Sequence, residues 1–158
     1  MEYWSARPVV IDGTKSSALL IGIEDLDEAK TTEIDGIAGG HAYLILPAAR
    51  LRRLGIKREA PGRVALPVVD RDRVEALALR ADGRIDAPVR PADETDEEAL
   101  ELARLSLVLP AVIVVPLAKG IEIDPAKYSW RELHPKSLML SAEVENVCEN
   151  LSKLHCLA

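Results

Sequence analysis

The chain has 158 residues, 48% of them hydrophobic, with 3% aromatics, no phenylalanine and a formal net charge of −6. That length suits one domain, and its core must be filled by Ala, Val, Leu and Ile rather than by rings. A surface of net negative sign repels phosphate backbones and anionic lipid, so nucleic acid and membranes are excluded as expected partners.

Pro8-Val9-Val10-Ile11 reads as a buried strand stopped by the turn signal Asp12-Gly13, and Ala18-Leu19-Leu20-Ile21-Gly22-Ile23 reads as a second. Continuous apolar runs of this length suit strands covered on both faces. Asp25 with Glu28 forms a capping-box pattern that opens a helix ending near Gly36. Gly39-Gly40 then releases the chain into a third strand, His41-Ala42-Tyr43-Leu44-Ile45-Leu46. Pro47 suits the first turn of a short helix over 48–54, closed by Gly55. Residues 63–68 predict a fourth strand, which Pro67 marks as an edge.

A further helix is expected over 71–79, followed by a loop over 81–94 that is rich in Asp, Pro and Arg and lacks apolar periodicity. Thr95 and Glu98 are spaced as a capping box for a helix running to about Leu109. Pro110 breaks it before a buried strand over 112–115. Beyond residue 128 the pattern changes. Tyr128, Trp130 and His134-Pro135 fall in an irregular stretch, and Ser141 is placed to cap a helix with Val144, Val147, Cys148, Leu151 and Leu154 along one stripe. These elements imply an α/β fold with a mixed sheet covered by helices, a domain over 1–128 and an extension over 129–158 carrying an amphipathic helix.

Chemistry-bearing motifs are sparse. Gly13-Thr14-Lys15-Ser16 lacks the Gly-Lys adjacency and the spacing of a phosphate-binding loop, and reads as a hairpin turn. Cys148, His155 and Cys156 lack the paired spacing and fourth ligand of structural zinc, so no metal site is expected. Nor does the sequence call for a cofactor or identify a catalytic residue. The acidic run Asp93, Glu94, Asp96, Glu97, Glu98 reads as a solvated helix start favoured by the helix dipole. The candidate ligand-binding residues are the turn Gly39, Gly40 and His41, where backbone lies open to a ligand, and Arg50 and Arg53 of a basic cluster. The same cluster also reads as a solvated helix face. Two cysteines, no secretory leader pattern, and an apolar run over 105–118 broken by Pro110 and Pro116 make the cytoplasm the expected compartment.

Two segments carry a resemblance. Residues 8–56 follow the order strand, turn, strand ending Ile23-Glu24, helix, strand ending Pro47, and Arg-rich helix ending Leu54-Gly55. Residues 95–117 contain Leu102-Ala103-Arg104-Leu105 ahead of Pro110-Ala111. Together they resemble 3,4-dihydroxy-2-butanone-4-phosphate synthase of the riboflavin pathway. More closely, they resemble the degenerate form of that domain at the N-terminus of some bacterial GTP cyclohydrolase II proteins.

The resemblance implies a shortened synthase-like architecture, a tendency to dimerise, and loss of the synthase reaction. The family's acidic magnesium-binding run falls at Asp12 to Ser17, its metal-binding histidine at Thr95 and its catalytic glutamate at Pro116. These replacements largely remove the hard oxygen ligands that magnesium needs. The expected function is therefore a non-catalytic, riboflavin-pathway-related domain that assembles with itself or with a cyclohydrolase. The alternative is a binding module for a small phosphorylated metabolite.

Overall fold

A computed structural model describes residues 8–12, 17–24, 26–105 and 109–118. In chain order they form strands β1 (Val9–Asp12) and β2 (Ser17–Gly22), helix α1 (Glu28–Ala38), strand β3 (Ala42–Leu46), helix α2 (Ala48–Arg53), strand β4 (Gly62–Leu66), helix α3 (Arg71–Ala78), strand β5 (Val89–Pro91), helix α4 (Glu94–Leu105) and strand β6 (Val112–Leu117). The expected extension over 129–158, its helix, and the residues of the 13–16 turn lie outside the described residues.

The strands make one sheet in the order β1-β2-β6-β3-β4-β5. This is the expected α/β class, but every pairing is antiparallel rather than mixed. The apolar runs do mark strands buried on both faces, a property that holds whatever the strand direction. Alternation along each strand divides the core accordingly. Leu19 and Ile21, Leu44 and Leu46, and Ile113 and Val115 enter one layer with Ile34 of α1, Leu51 of α2 and Val74 and Leu77 of α3. Leu20, Ile45, Val112 and Val114 enter a second, smaller layer with Ala99, Leu100 and Ala103 of α4. Three helices thus cover one face and one covers the other. Strands β2 and β3 run in the same direction with β6 inserted between them, antiparallel to both.

Several boundaries differ from the sequence reading. Helix α1 is capped by Asp27, whose carboxylate accepts from the Lys30 N–H at 2.7 Å. It runs past Gly36 to a left-handed Gly39 at φ 53°. Glycine costs a helix interior only about 1 kcal/mol, and burial of Ile34 and Ala38 outweighs it. Strand β4 is internal, not an edge, and Pro67 stands just beyond it. The edge on that side is β5, inside the stretch expected to be a loop. It is three residues long and ends in Pro91, too short to show any alternation. Asp93, not Thr95, caps α4: the Asp96 N–H donates to Asp93 Oδ1, and the Asp93 N–H donates back to Asp96 Oδ2, both at 3.0 Å. That helix is described to Leu105, short of the expected Leu109. Strand β6 extends past 115 to Leu117, and Pro116 is tolerated because at that level β6 pairs with β2 and lies beyond its pairing with β3.

Candidate functional site

The five candidate ligand-binding residues divide between the two ends of β3. Gly39, Gly40 and His41 form the turn that precedes the strand. Gly39 and Gly40 have positive φ values of 53° and 83°, and the His41 N–H donates to the Ala38 carbonyl at 3.0 Å. The His41 side chain is exposed. Arg50 and Arg53 lie on α2, beyond the other end of a five-residue strand that spans about 17 Å. The structure therefore brings Arg50 and Arg53 together, but not with the glycine turn.

Of the places singled out by the resemblance, Asp12, Ser17 and Pro116 lie at the glycine-turn end, whereas β5 leads into α4, and so to Thr95, from the Gly62 end of β4. Asp12 pairs with Ser17 across the β1–β2 hairpin, Ser17 with Leu117, and Ala18 with Pro116. Thr95 sits in the first turn of α4, beside Asp96. Within the second layer, Asp96 reaches the sheet over β3 and β4. The Tyr43 hydroxyl donates to Asp96 Oδ1 at 3.0 Å, and the Arg63 guanidinium bonds both Asp96 and Asp93 while lying 4.5 Å from the Tyr43 ring centroid. Asp96 is only 1% exposed. It is thus a buried, bonded carboxylate and not part of a solvated helix start.

The electrostatics of this cluster are those of a lock. Burial, then the Asp96 charge, pushes the Tyr43 phenol up, which keeps its proton on the donor side of the bond. Burial would lower Arg63, but its bonds to Asp96 and Asp93 outweigh that and raise it. Asp93 is held below the usual carboxylate range: burial opposes this, and the Asp96 N–H and Arg63 prevail. Each charged group is spent on another, so the cluster fastens α4 to β3 and β4 and offers no free acid or base. Sequence reading missed it because Tyr43, Arg63 and Asp96 come from three separate elements. The reciprocal Asp93-x-x-Asp96 spacing was its one local signal.

At the opposite end, where β2 and β3 finish and β6 begins, lies a cavity of about 230 Å³. Arg50 and Arg53 are its charged residues, and Ile23, Pro47, Ala78 and Leu109 supply apolar wall. Arg50 is pinned to the end of α3. Its Nε donates to the Leu77 carbonyl at 2.7 Å, and Nη2 donates to the carbonyls of Ala76 at 3.1 Å and Arg80 at 2.7 Å. Burial, and then repulsion from Arg53, lowers its pKa. The Glu24 carboxylate holds the far wall by accepting from the Leu109 N–H at 2.9 Å.

Among the described residues, no group of three or more His, Cys, Asp or Glu side chains is placed to hold a metal ion. No helix among them is long and apolar enough to cross a membrane. Cys148, His155 and Cys156 lie outside the described residues.

No protein-family model matches the chain. The chain is similar to GTP cyclohydrolase-2 of Xylella fastidiosa strain 9a5c, with 28% identity over 122 residues. GTP cyclohydrolase-2 of strain Temecula1 is 26% identical over 122 residues. Each match covers 77% of this chain but 31% of the relative, so the similarity spans about a third of the length of these curated proteins.

Proposed function

We propose that this chain is a non-catalytic, riboflavin-pathway-related domain that serves as an assembly or regulatory partner of GTP cyclohydrolase II. The observation that carries this reading is the extent of the similarity: 122 residues, most of this chain, correspond to under a third of each GTP cyclohydrolase-2. A segment of that kind is a module that a larger protein carries alongside other parts. The residues at Asp12 to Ser17, Thr95 and Pro116 support a module without its own reaction, because Asp12 is their single carboxylate and they have no imidazole, whereas magnesium-assisted chemistry on a sugar phosphate needs several such ligands. The proposed setting is the cytoplasm, and self-association into a dimer is part of the same reading.

The test is association. The full chain is mixed with Xylella GTP cyclohydrolase-2 from which the matching segment has been removed, and followed by size exclusion with light scattering. Co-elution, with a change in GTP turnover or heat stability of the enzyme, is the expected result. A chain that stays monomeric at every concentration and never co-elutes contradicts it. Ribulose 5-phosphate with magnesium should give no turnover; turnover that survives substitution of Asp12 and Glu24 would overturn the non-catalytic assignment.

A further inference from the structure

The cavity beside α2 lies at the end of the sheet away from Asp12 and Pro116, and the partner reading leaves it unused. The Glu24 carboxylate beside its wall is engaged by the Leu109 N–H, and the lining itself is cationic. The two charged residues that line it are both arginines, in a chain whose net charge is −6. They stand three residues apart on one helix, so they share a face. Repulsion between them is felt at Arg50. Arg50 is held in place by three carbonyl acceptors from Ala76, Leu77 and Arg80, which leaves Nη1 without a partner among the described residues. Arg53 has neither an ion pair nor a hydrogen bond among them. The rest of the wall is largely apolar, and Leu109, 37% exposed, stands at its rim.

A pair of like charges, one immobilised and one unpaired among the described residues, over an apolar wall is suited to an anion. Binding relieves the repulsion, and the pinned guanidinium loses little freedom in the process. Size narrows the choice further. At about 230 Å³ the cavity falls below the range of roughly 300–1,000 Å³ that encloses drug-sized ligands, so a nucleoside triphosphate is too large.

We infer that this cavity binds a small organic anion. Its single carboxylate or phosphate is held by Arg53 and Arg50, and its compact apolar body rests on Ile23, Pro47, Ala78 and Leu109.

The experiment titrates the full chain with benzoate, phenyl phosphate and the neutral analogue benzamide, by calorimetry or ligand-observed NMR. Arg53→Met keeps the aliphatic stem and removes the charge. Arg50 is left intact because it closes α3. Ala49→Leu, at an exposed position of α2 that lines the cavity, fills the space without touching either charge. Saturable binding of benzoate or phenyl phosphate is expected, and the two arms tell which anion is preferred. Benzamide should bind at least about tenfold more weakly, and Arg53→Met should weaken the anions by a similar factor, as expected for charge-assisted bonds. Ala49→Leu should abolish binding while circular dichroism stays unchanged. Absence of saturable binding by either anion, equal binding of benzamide, or unaltered binding to Arg53→Met would each overturn the inference.

Discussion

Asp96 shows how much one side chain can hold. A carboxylate removed from water is costly unless it is paired and hydrogen-bonded, and here Arg63, the Tyr43 hydroxyl and the Asp93 N–H all serve it. Asp96→Ala should destabilise the protein by about 2–4 kcal/mol in urea titration, since it leaves Arg63 partly buried beside the ring. Tyr43→Phe should cost about 1 kcal/mol, the worth of one hydrogen bond. Asp93 adds a pH dependence. Its folded pKa lies below the ordinary 3.8, so the stability it contributes is present above that value and is lost as pH falls through the lowered folded one. Melting temperature followed from pH 7 downward should therefore fall on the acid side of the ordinary value. Asp93→Asn should melt lower at neutral pH and show a shallower acid decline. In the sequence Asp96 is one acid among five, and nothing local distinguishes the buried one. Arg50 and Arg53 were legible as a basic pair, whereas Ile23, Ala78 and Leu109 come from other parts of the chain, and only the fold assembles them.

At the scale of elements, what could be read was the type and what could not was the neighbour. Strong apolar runs announce β2, β3 and β6 in the sequence, whereas the cap of α3 went unread. Asp70 caps α3, accepting from the N–H groups of Asp72 at 2.7 Å and Arg73 at 3.2 Å. Strand β5 was not legible, because three residues ending in proline carry no period; pairing with β4 makes it a strand. Gly62 permits that pairing. A Cβ at this position would come within 2.5 Å of Val89 Cγ1 and 3.1 Å of both the Arg90 carbonyl and Leu51 Cδ1. Gly62→Ala should therefore displace β5, seen as faster amide exchange at residues 89–91, with a stability loss of about 1–3 kcal/mol. Unchanged exchange there would mean that β5 is held by other contacts.

For the whole molecule, the feature of greatest reach is the position of β6. The last described strand in sequence lies in the middle of the sheet, joining the β1–β2 hairpin to the β3–β4–β5 meander. Among the strands, those two halves share no pairing except through it. A fragment ending before residue 112 should consequently show no cooperative unfolding transition, even though it retains three helices on one face and α4. Calorimetry of such a fragment checks this, and a sharp transition would show that the helices alone unite the halves. The same arrangement governs how the chain is made. As synthesis proceeds from the N-terminus, β2 and β3 emerge with unpaired edges and stay open until residues 112–117 arrive and close distant contacts. During that interval the nascent chain presents two apolar strand edges to its surroundings. Slow elongation through α4 would lengthen the interval, and yield of folded protein should depend more on the speed of that stretch than on any substitution at the surface.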